Sequence, residues 1–271
     1  MKNKRDLLAG PYLVWAAAFI IIPLIMIVWY ALTTDSGSFT LRYIIAIKDH
    51  ENLKALWLSV LLSLISTFIC LILAYPLAMI LSRSRVNKTS FIVMLFILPM
   101  WMNFLLRTLA WQNLLEKTGV INSILKFLHL PAINIINTPY AIILGMVYNF
   151  LPFMVLPLYN VLSKIDPDVI NAARDLGANS LQTFARITLP LSVPGIISGI
   201  TMVFVPALTT FVISELLGGS KILLIGNVIE QEFKQTGNWH AGSGLSLVLM
   251  IFILLSMAVT GKYDKDGGAM F

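Results

Sequence analysis

The sequence predicts an all-α polytopic membrane protein, a single domain over residues 1–271 with six transmembrane helices and both termini cytoplasmic. Three observations carry that expectation. Hydrophobic residues fill 58% of the 271 positions and charged residues only 12%, where an average soluble domain carries roughly 25% charged. Mean hydropathy is +0.85. The apolar residues gather into runs near the ~20 residues that cross a ~30 Å hydrocarbon core as helix. Disorder is excluded, since it needs low hydrophobicity and high charge. The net charge of +6 and pI near 9.4 fit cytoplasmic loops rich in Lys and Arg, so no nucleic-acid partner is expected. Membrane lipid is the expected surround.

The runs are taken in order. Residues 11–32 follow Met1-Lys2-Asn3-Lys4-Arg5. A basic start also opens secretory signals, but their apolar regions run only ~7–15 residues before small cleavage-site residues. This run is longer and closes on Trp29, Tyr30 and Leu32, so it is predicted to be an uncleaved span. The others are 56–81, 91–110, 139–160, 192–216 and 245–261. With the N-terminus inside, eleven cations fall on inside segments and eight on the outer side, Arg107 at the outer end of the third run counted with the loops. The clusters at 2–5 and 83–88 lie directly beside spans, where the positive-inside rule weighs most. Loops 33–55, 111–138 and 217–244 are then outside. The second holds Val120, Ile121, Ile124, Leu125 and Leu128, spaced for a short interfacial helix. The chain is expected to cross a cell membrane many times.

Prolines at 23, 76, 99, 152, 157 and 206 punctuate the runs. Each removes a backbone donor and can kink a helix. The one cysteine, Cys70, sits in an apolar run as a packing residue and excludes a disulfide framework. His50, His129 and His240 lie far apart and offer no metal-ligand spacing. No metal and no cofactor are expected.

The segment 161–191, between the fourth and fifth runs, is the most informative. Asp166-Pro167 opens a helix, with an acid at the N-cap and proline in the first turn. Val169, Ala172, Ala173 and Leu176 fall at i, i+3, i+4, i+7. Gly177 then supplies a left-handed stop. A second stripe follows at Leu181, Phe184, Ala185 and Thr188, and Leu189-Pro190 closes it at the membrane. Such a helix–glycine–helix unit either docks a partner or lies on lipid. These residues alone leave both open.

Asn171-Ala172-Ala173, Gly177 after three more residues, and Ile187-Thr188-Leu189-Pro190 resemble the EAA loop of ABC-importer permeases, whose pattern is Glu-Ala-Ala, three residues, Gly, nine residues, Ile-x-Leu-Pro. The match holds at Ala172, Ala173, Gly177, Ile187, Leu189 and Pro190 and departs at Asn171, where the family has Glu. The resemblance implies the type I ABC-importer permease fold. It also implies that this loop, with Asp175, Leu176, Ala178 and Phe184 beside the motif, seats in a cytoplasmic ATP-binding subunit dimer. A second permease subunit, homologous or identical, is implied as well. The chain itself has no G-x-x-x-x-G-K-[ST] phosphate loop and no grouped nucleophile and base, so no enzymatic activity of its own is expected.

Pro99–Trp111, Tyr148–Tyr159, and Ser214-Glu215-Leu216-Leu217-Gly218-Gly219-Ser220-Lys221 with Leu224–Ile229 are similar to the spermidine/putrescine permeases of that family. That resemblance implies polyamine import and an extracytoplasmic polyamine-binding protein. The chemistry permits it: a flexible polycation needs carboxylates and ring faces, each cation–π contact worth ~0.5–2 kcal/mol. Glu215 is the acid that borders a run, Phe211 lies one turn before it, and Trp101 and Trp111 offer ring faces from the third span. Ionisable residues within spans default to functional roles. Arg107 is expected to snorkel to the outer interface. The alternatives are a permease for thiamine, iron or an oxyanion, or an ATP-independent channel or carrier. Glu215, Glu230 and Glu232 near the outer mouth weigh against an anion, and a channel leaves the helix–glycine–helix loop unused.

Overall fold

The computed structural model describes residues 10–83 and 98–268. Helix α1 runs Gly10–Leu32 and α2 His50–Arg83. α3 is Phe104–Leu115, α4 Val120–Phe127 and α5 Pro139–Leu162. α6 is Pro167–Asp175 and α7 Ser180–Thr209. α8 is Val212–Gly218, α9 Ile225–Lys234 and α10 Trp239–Gly268. Among the described residues the β-type pairing is a single bridge, Thr33 to Phe39.

Among the described residues five helices are long and apolar enough to cross a membrane: α1, α2, α5, α7 and the Trp239–Gly261 part of α10. They match expected runs, with ends that differ. α2 extends beyond 56–81, and α10 begins at Trp239 rather than 245. The expected span 91–110 is not one helix among the described residues. Its first part, 91–97, lies outside them, and α3 starts afresh where Asn103 Oδ1 accepts the Leu105 and Leu106 N–H groups at 2.9 and 3.3 Å. The expected span 192–216 also breaks. α7 ends at Thr209, Thr210 turns extended with ψ 135°, and Glu215 falls on the separate α8. The interfacial helix expected within 111–138 is α4.

Two prolines have a common structural answer. π turns at Ala17–Ile21 and Phe184–Thr188 stand just before Pro23 and Pro190. A proline ring collides with the carbonyl four residues back, and a widened turn relieves the collision without breaking the helix. Pro76, Pro152 and Pro157 sit inside unbroken helices.

The chain divides into two compact units, one from residues 1–55 and 228–254, the other from 56–227 and 255–271. In the second, α5 and α7 pack along their lengths, and Ile142, Met146, Met154, Leu158 and Val203 are wholly buried. Small residues permit the approach. A Cβ at Gly195 would lie 3.0 Å from the Pro157 carbonyl oxygen, and one at Gly199 would strike Met154 Sδ. Cys70 is buried there, as a packing residue should be. In the first unit, α1 exposes Leu13, Val14, Phe19, Ile21, Ile25 and Trp29, an apolar surface suited to lipid.

Candidate functional site

The segment between α5 and α7 folds as its sequence dictates. Asp166 caps α6, accepting the Asp168 N–H at 2.9 Å, and Pro167 occupies the first turn. At the other end Gly177 takes φ +83°. Its N–H reaches the Arg174 carbonyl at 2.9 Å, and the Ala178 N–H reaches that of Ala173 at 3.0 Å. These are the two bonds of a Schellman stop. α7 restarts at once through a capping box. Asn179 Oδ1 accepts the Gln182 N–H at 2.8 Å, and Gln182 Oε1 accepts the Asn179 N–H at 2.9 Å. That box was not anticipated, although the spacing Asn-x-x-Gln announces it.

The apolar stripe of α6 divides in the structure. Ala173 turns inward, as do Thr183 and Thr188 from the next helix. Val169 and Leu176 face out, 44% and 90% exposed, and Leu181 joins them at 74%. Ala172, Asp175 and Gly177 are exposed beside them, Ala178 is half-buried, and Asn171 lines a cleft with Arg174. The unit is braced to the spans. Phe184 meets Tyr75 of α2 edge-on, with centroids 5.6 Å apart, and the Tyr75 hydroxyl lies 2.8 Å from Ser192 Oγ. Ile187 is half-buried, while Leu189 and Pro190 are exposed where the helix proceeds. The result is a rigid, capped helical pair that presents apolar side chains outward and is anchored from behind.

The four residues expected along the substrate path are placed differently from one another. Glu215 is exposed on α8, its N–H bonded to the Phe211 carbonyl at 2.9 Å, and it forms no ion pair among the described residues. Phe211 is half-buried at the break before α8. The break is held by Asn227. Its Oδ1 accepts from the buried Ser214 hydroxyl and from the Leu224 N–H, and its Nδ2 donates to the Phe211 carbonyl at 3.1 Å. The two stretches singled out in sequence, 214–221 and 224–229, therefore meet at one polar latch. Trp111 of α3 stands edge-on to Tyr148 of α5 at 5.2 Å. Trp101 is 73% exposed in the 3-10 turn before α3, with no ring partner among the described residues.

Arg107 corrects an expectation. It does not snorkel: it is 7% exposed on the inner face of α3, and its Nε and Nη1 have no hydrogen-bond partner among the described residues. The expectation took the general tendency of a long cationic side chain to reach the interface, while packing of α3 against α5 and α8 decides which face is covered.

The first unit holds a feature that sequence reasoning missed. His240 is stacked on Tyr43 at 5.3 Å and edge-on to Tyr30 at 5.2 Å. Its Nδ1 lies 2.8 Å from the Tyr30 carbonyl oxygen and its Nε2 3.1 Å from Asp35 Oδ1. With Trp239 these residues line a cavity of about 420 Å³.

A family model described as binding-protein-dependent transport system inner membrane component matches residues 7–263. The chain is 38% identical over 260 residues to the spermidine/putrescine transport system permease protein PotB of Haemophilus influenzae, covering 93% of this chain and 91% of that one. It is 40% identical over 259 residues to PotB of Escherichia coli K12, covering 93% and 94%. The inner membrane ABC transporter permease protein YdcU of Escherichia coli K12 is 30% identical over 282 residues, 95% of this chain and 90% of that one. Among solved structures, a chain of a bacterial ABC transporter involved in import of the acidic polysaccharide alginate matches with TM-score 0.78 at 18% identity, covering 96% and 97%. A second, from an alginate ABC transporter in complex with its pentasaccharide-bound periplasmic protein, matches with TM-score 0.78 at 17% identity, covering 97% of each. At such identities the structural likeness carries the fold alone.

Proposed function

The chain belongs to the family of binding-protein-dependent transport system inner membrane components, and on that premise we propose that it is the permease subunit of an ATP-driven importer of spermidine and putrescine. It is a multi-pass inner-membrane protein of the type I ABC-importer permease fold. A periplasmic binding protein is its partner by family, and polyamine specificity of that partner follows from the same reading. ATP hydrolysis belongs to a separate cytoplasmic subunit dimer, which takes the outward side chains Val169, Leu176 and Leu181 into its groove. A second permease subunit completes the path.

The observation that supports this most is the capped pair α6 and α7. Exposed leucines on a segment capped at both ends are costly to leave in water, and a docked partner covers them. The relatives at 38–40% identity support the substrate. An exposed carboxylate at Glu215, on a helix fixed by the Asn227 latch, suits an incoming cation. Thiamine, iron or an oxyanion as cargo lacks comparable support, and an ATP-independent channel or carrier leaves the α6–α7 pair without a purpose.

The test is uptake of labelled spermidine and putrescine in cells lacking their own polyamine importers. Uptake should require this chain, the ATP-binding subunit and the binding protein together. Uptake that persists without the ATP-binding subunit would overturn the reading.

A further inference from the structure

A cavity of about 400 Å³ opens where the last turn of α2, the end of α5 and the start of α6 converge. Arg83 and Arg174 line it, with Ser82, Ser163, Asn171 and Thr188. Both guanidinium groups lack an acid. Neither forms an ion pair among the described residues, and no carboxylate is among the described lining residues. The nearby Asp166 carboxylate is committed to capping α6.

Thr188 is the second observation. It is 2% exposed, and its Oγ1 has no hydrogen-bond partner among the described residues. Thr67, Thr108, Thr183 and Thr201 return their hydroxyls to the carbonyl four residues back, at 2.7, 3.0, 3.0 and 3.0 Å. Thr188 closes the π turn and makes no such bond. A buried hydroxyl without a partner is costly, so its place on the wall of a cavity with two cations that have no acid partner among the described residues points to a ligand.

We propose that this cavity binds a phosphate group, carried by an anionic phospholipid or free in solution, and that the bound phosphate ties α6 to α2. Guanidinium forks match phosphate oxygens two at a time, and hydroxyl and amide groups complete the shell. Basic clusters beside a span favour anionic headgroups. The consequence for transport rests on the reading of α6 as the coupling helix; the binding does not. A phosphate bridging Arg83 and Arg174 makes movement of α6 and α2 a single motion.

The experiment uses the full chain purified with its accompanying subunits. It is reconstituted in vesicles of phosphatidylcholine alone or with added phosphatidylglycerol, and melted with and without inorganic phosphate. Phosphatidylglycerol, inorganic phosphate or both should raise the melting temperature above that in phosphatidylcholine. The half-saturating concentration should rise about tenfold for each guanidinium removed in Arg83→Gln and Arg174→Gln. Arg186→Gln, a cation of the same loop outside the cavity, should respond as the unmodified chain does. A response only to phosphatidylglycerol assigns the site to lipid; a response to inorganic phosphate in phosphatidylcholine assigns it to the free ion. No response to either, or a response that survives the double arginine variant, overturns the site. So does arginine-dependent stabilisation that needs the ATP-binding subunit and neither phosphate source, which would assign the guanidinium groups to a protein carboxylate. Should the arginine variants fail to assemble, Thr188→Val keeps the shape and must weaken the response, or the site is overturned. Melting is independent of uptake, so failure of polyamine transport leaves this result standing, and the reverse holds too.

Discussion

Gly177 is the residue whose replacement separates backbone strain from packing. A Cβ there meets nothing within 4 Å, and φ is +83°. The penalty is therefore conformational, about 1–2 kcal/mol for an ordinary L residue and more for a β-branched one. Gly177→Val should lower ATP-driven polyamine uptake at least several-fold at unchanged membrane level, and Gly177→Asn, which tolerates the left-handed region, should lose least. Equal uptake by the valine variant would refute a coupling role for the turn. Glu215 is the second test. Glu215→Gln keeps shape and removes charge, and attraction to a cation grows as the local dielectric falls. Labelled uptake should fall more for spermidine, the longer and more highly charged amine, than for putrescine. Unchanged uptake of both returns Glu215 to an ordinary helix position. Arg107 behaves oppositely. An unpaired buried charge is a burden that an apolar group of similar volume removes. Arg107→Met should thus leave membrane level intact, measured by immunoblot, and a collapse in level would show that the assembled importer supplies a counter-charge.

At the scale of elements, the outward face of α6 and α7 makes a sharper prediction than their fold. Leu176→Asp with Leu181→Ser should abolish copurification of the ATP-binding subunit while leaving insertion unchanged, because neither side chain contributes to this chain's own core. The opposite pattern is expected at the α5–α7 seam. Gly199→Leu forces a side chain into Met154, and overpacking costs about 1–3 kcal/mol, read as a lower melting temperature with assembly otherwise intact. The α6–α7 unit was legible in sequence because its grammar is local: Asp166-Pro167 to start, Gly177 to stop, both decided within a few residues. The break after α7 was not. Thr209-Thr210-Phe211 carries no proline or glycine, and the turn is imposed by Asn227, sixteen residues on from Phe211. Arg107 was misjudged for a related reason, since burial on one helix face is set by which helices cover it. The His240 cluster joins residues 210 apart in the chain, beyond any pattern in a window.

For the whole molecule, the inward placement of both termini and of 161–191 remains a proposal with a direct test. In a Cys70→Ala background, Ser180→Cys should resist a membrane-impermeant thiol reagent applied to intact cells, and Gly237→Cys, in the loop 217–244, should react. The reverse pattern would invert the topology. If 161–191 is the coupling loop proposed above, α7 is the element that carries its movement through the bilayer. α7 is continuous for 30 residues from the restart at Ser180 to the break at Thr209, about 45 Å at 1.5 Å per residue. Such a rod is a lever arm. A tilt of about 10° applied at its loop end sweeps the opposite end through roughly 8 Å on that length, far more than the sub-ångström shifts a packed core absorbs. The π turn at 184–188 lies near the pivot and sets how stiffly the stroke is delivered. The break at Thr210 passes it to the helix bearing Glu215, so on the proposed topology a small displacement on one side of the bilayer becomes a stroke of several ångströms on the other.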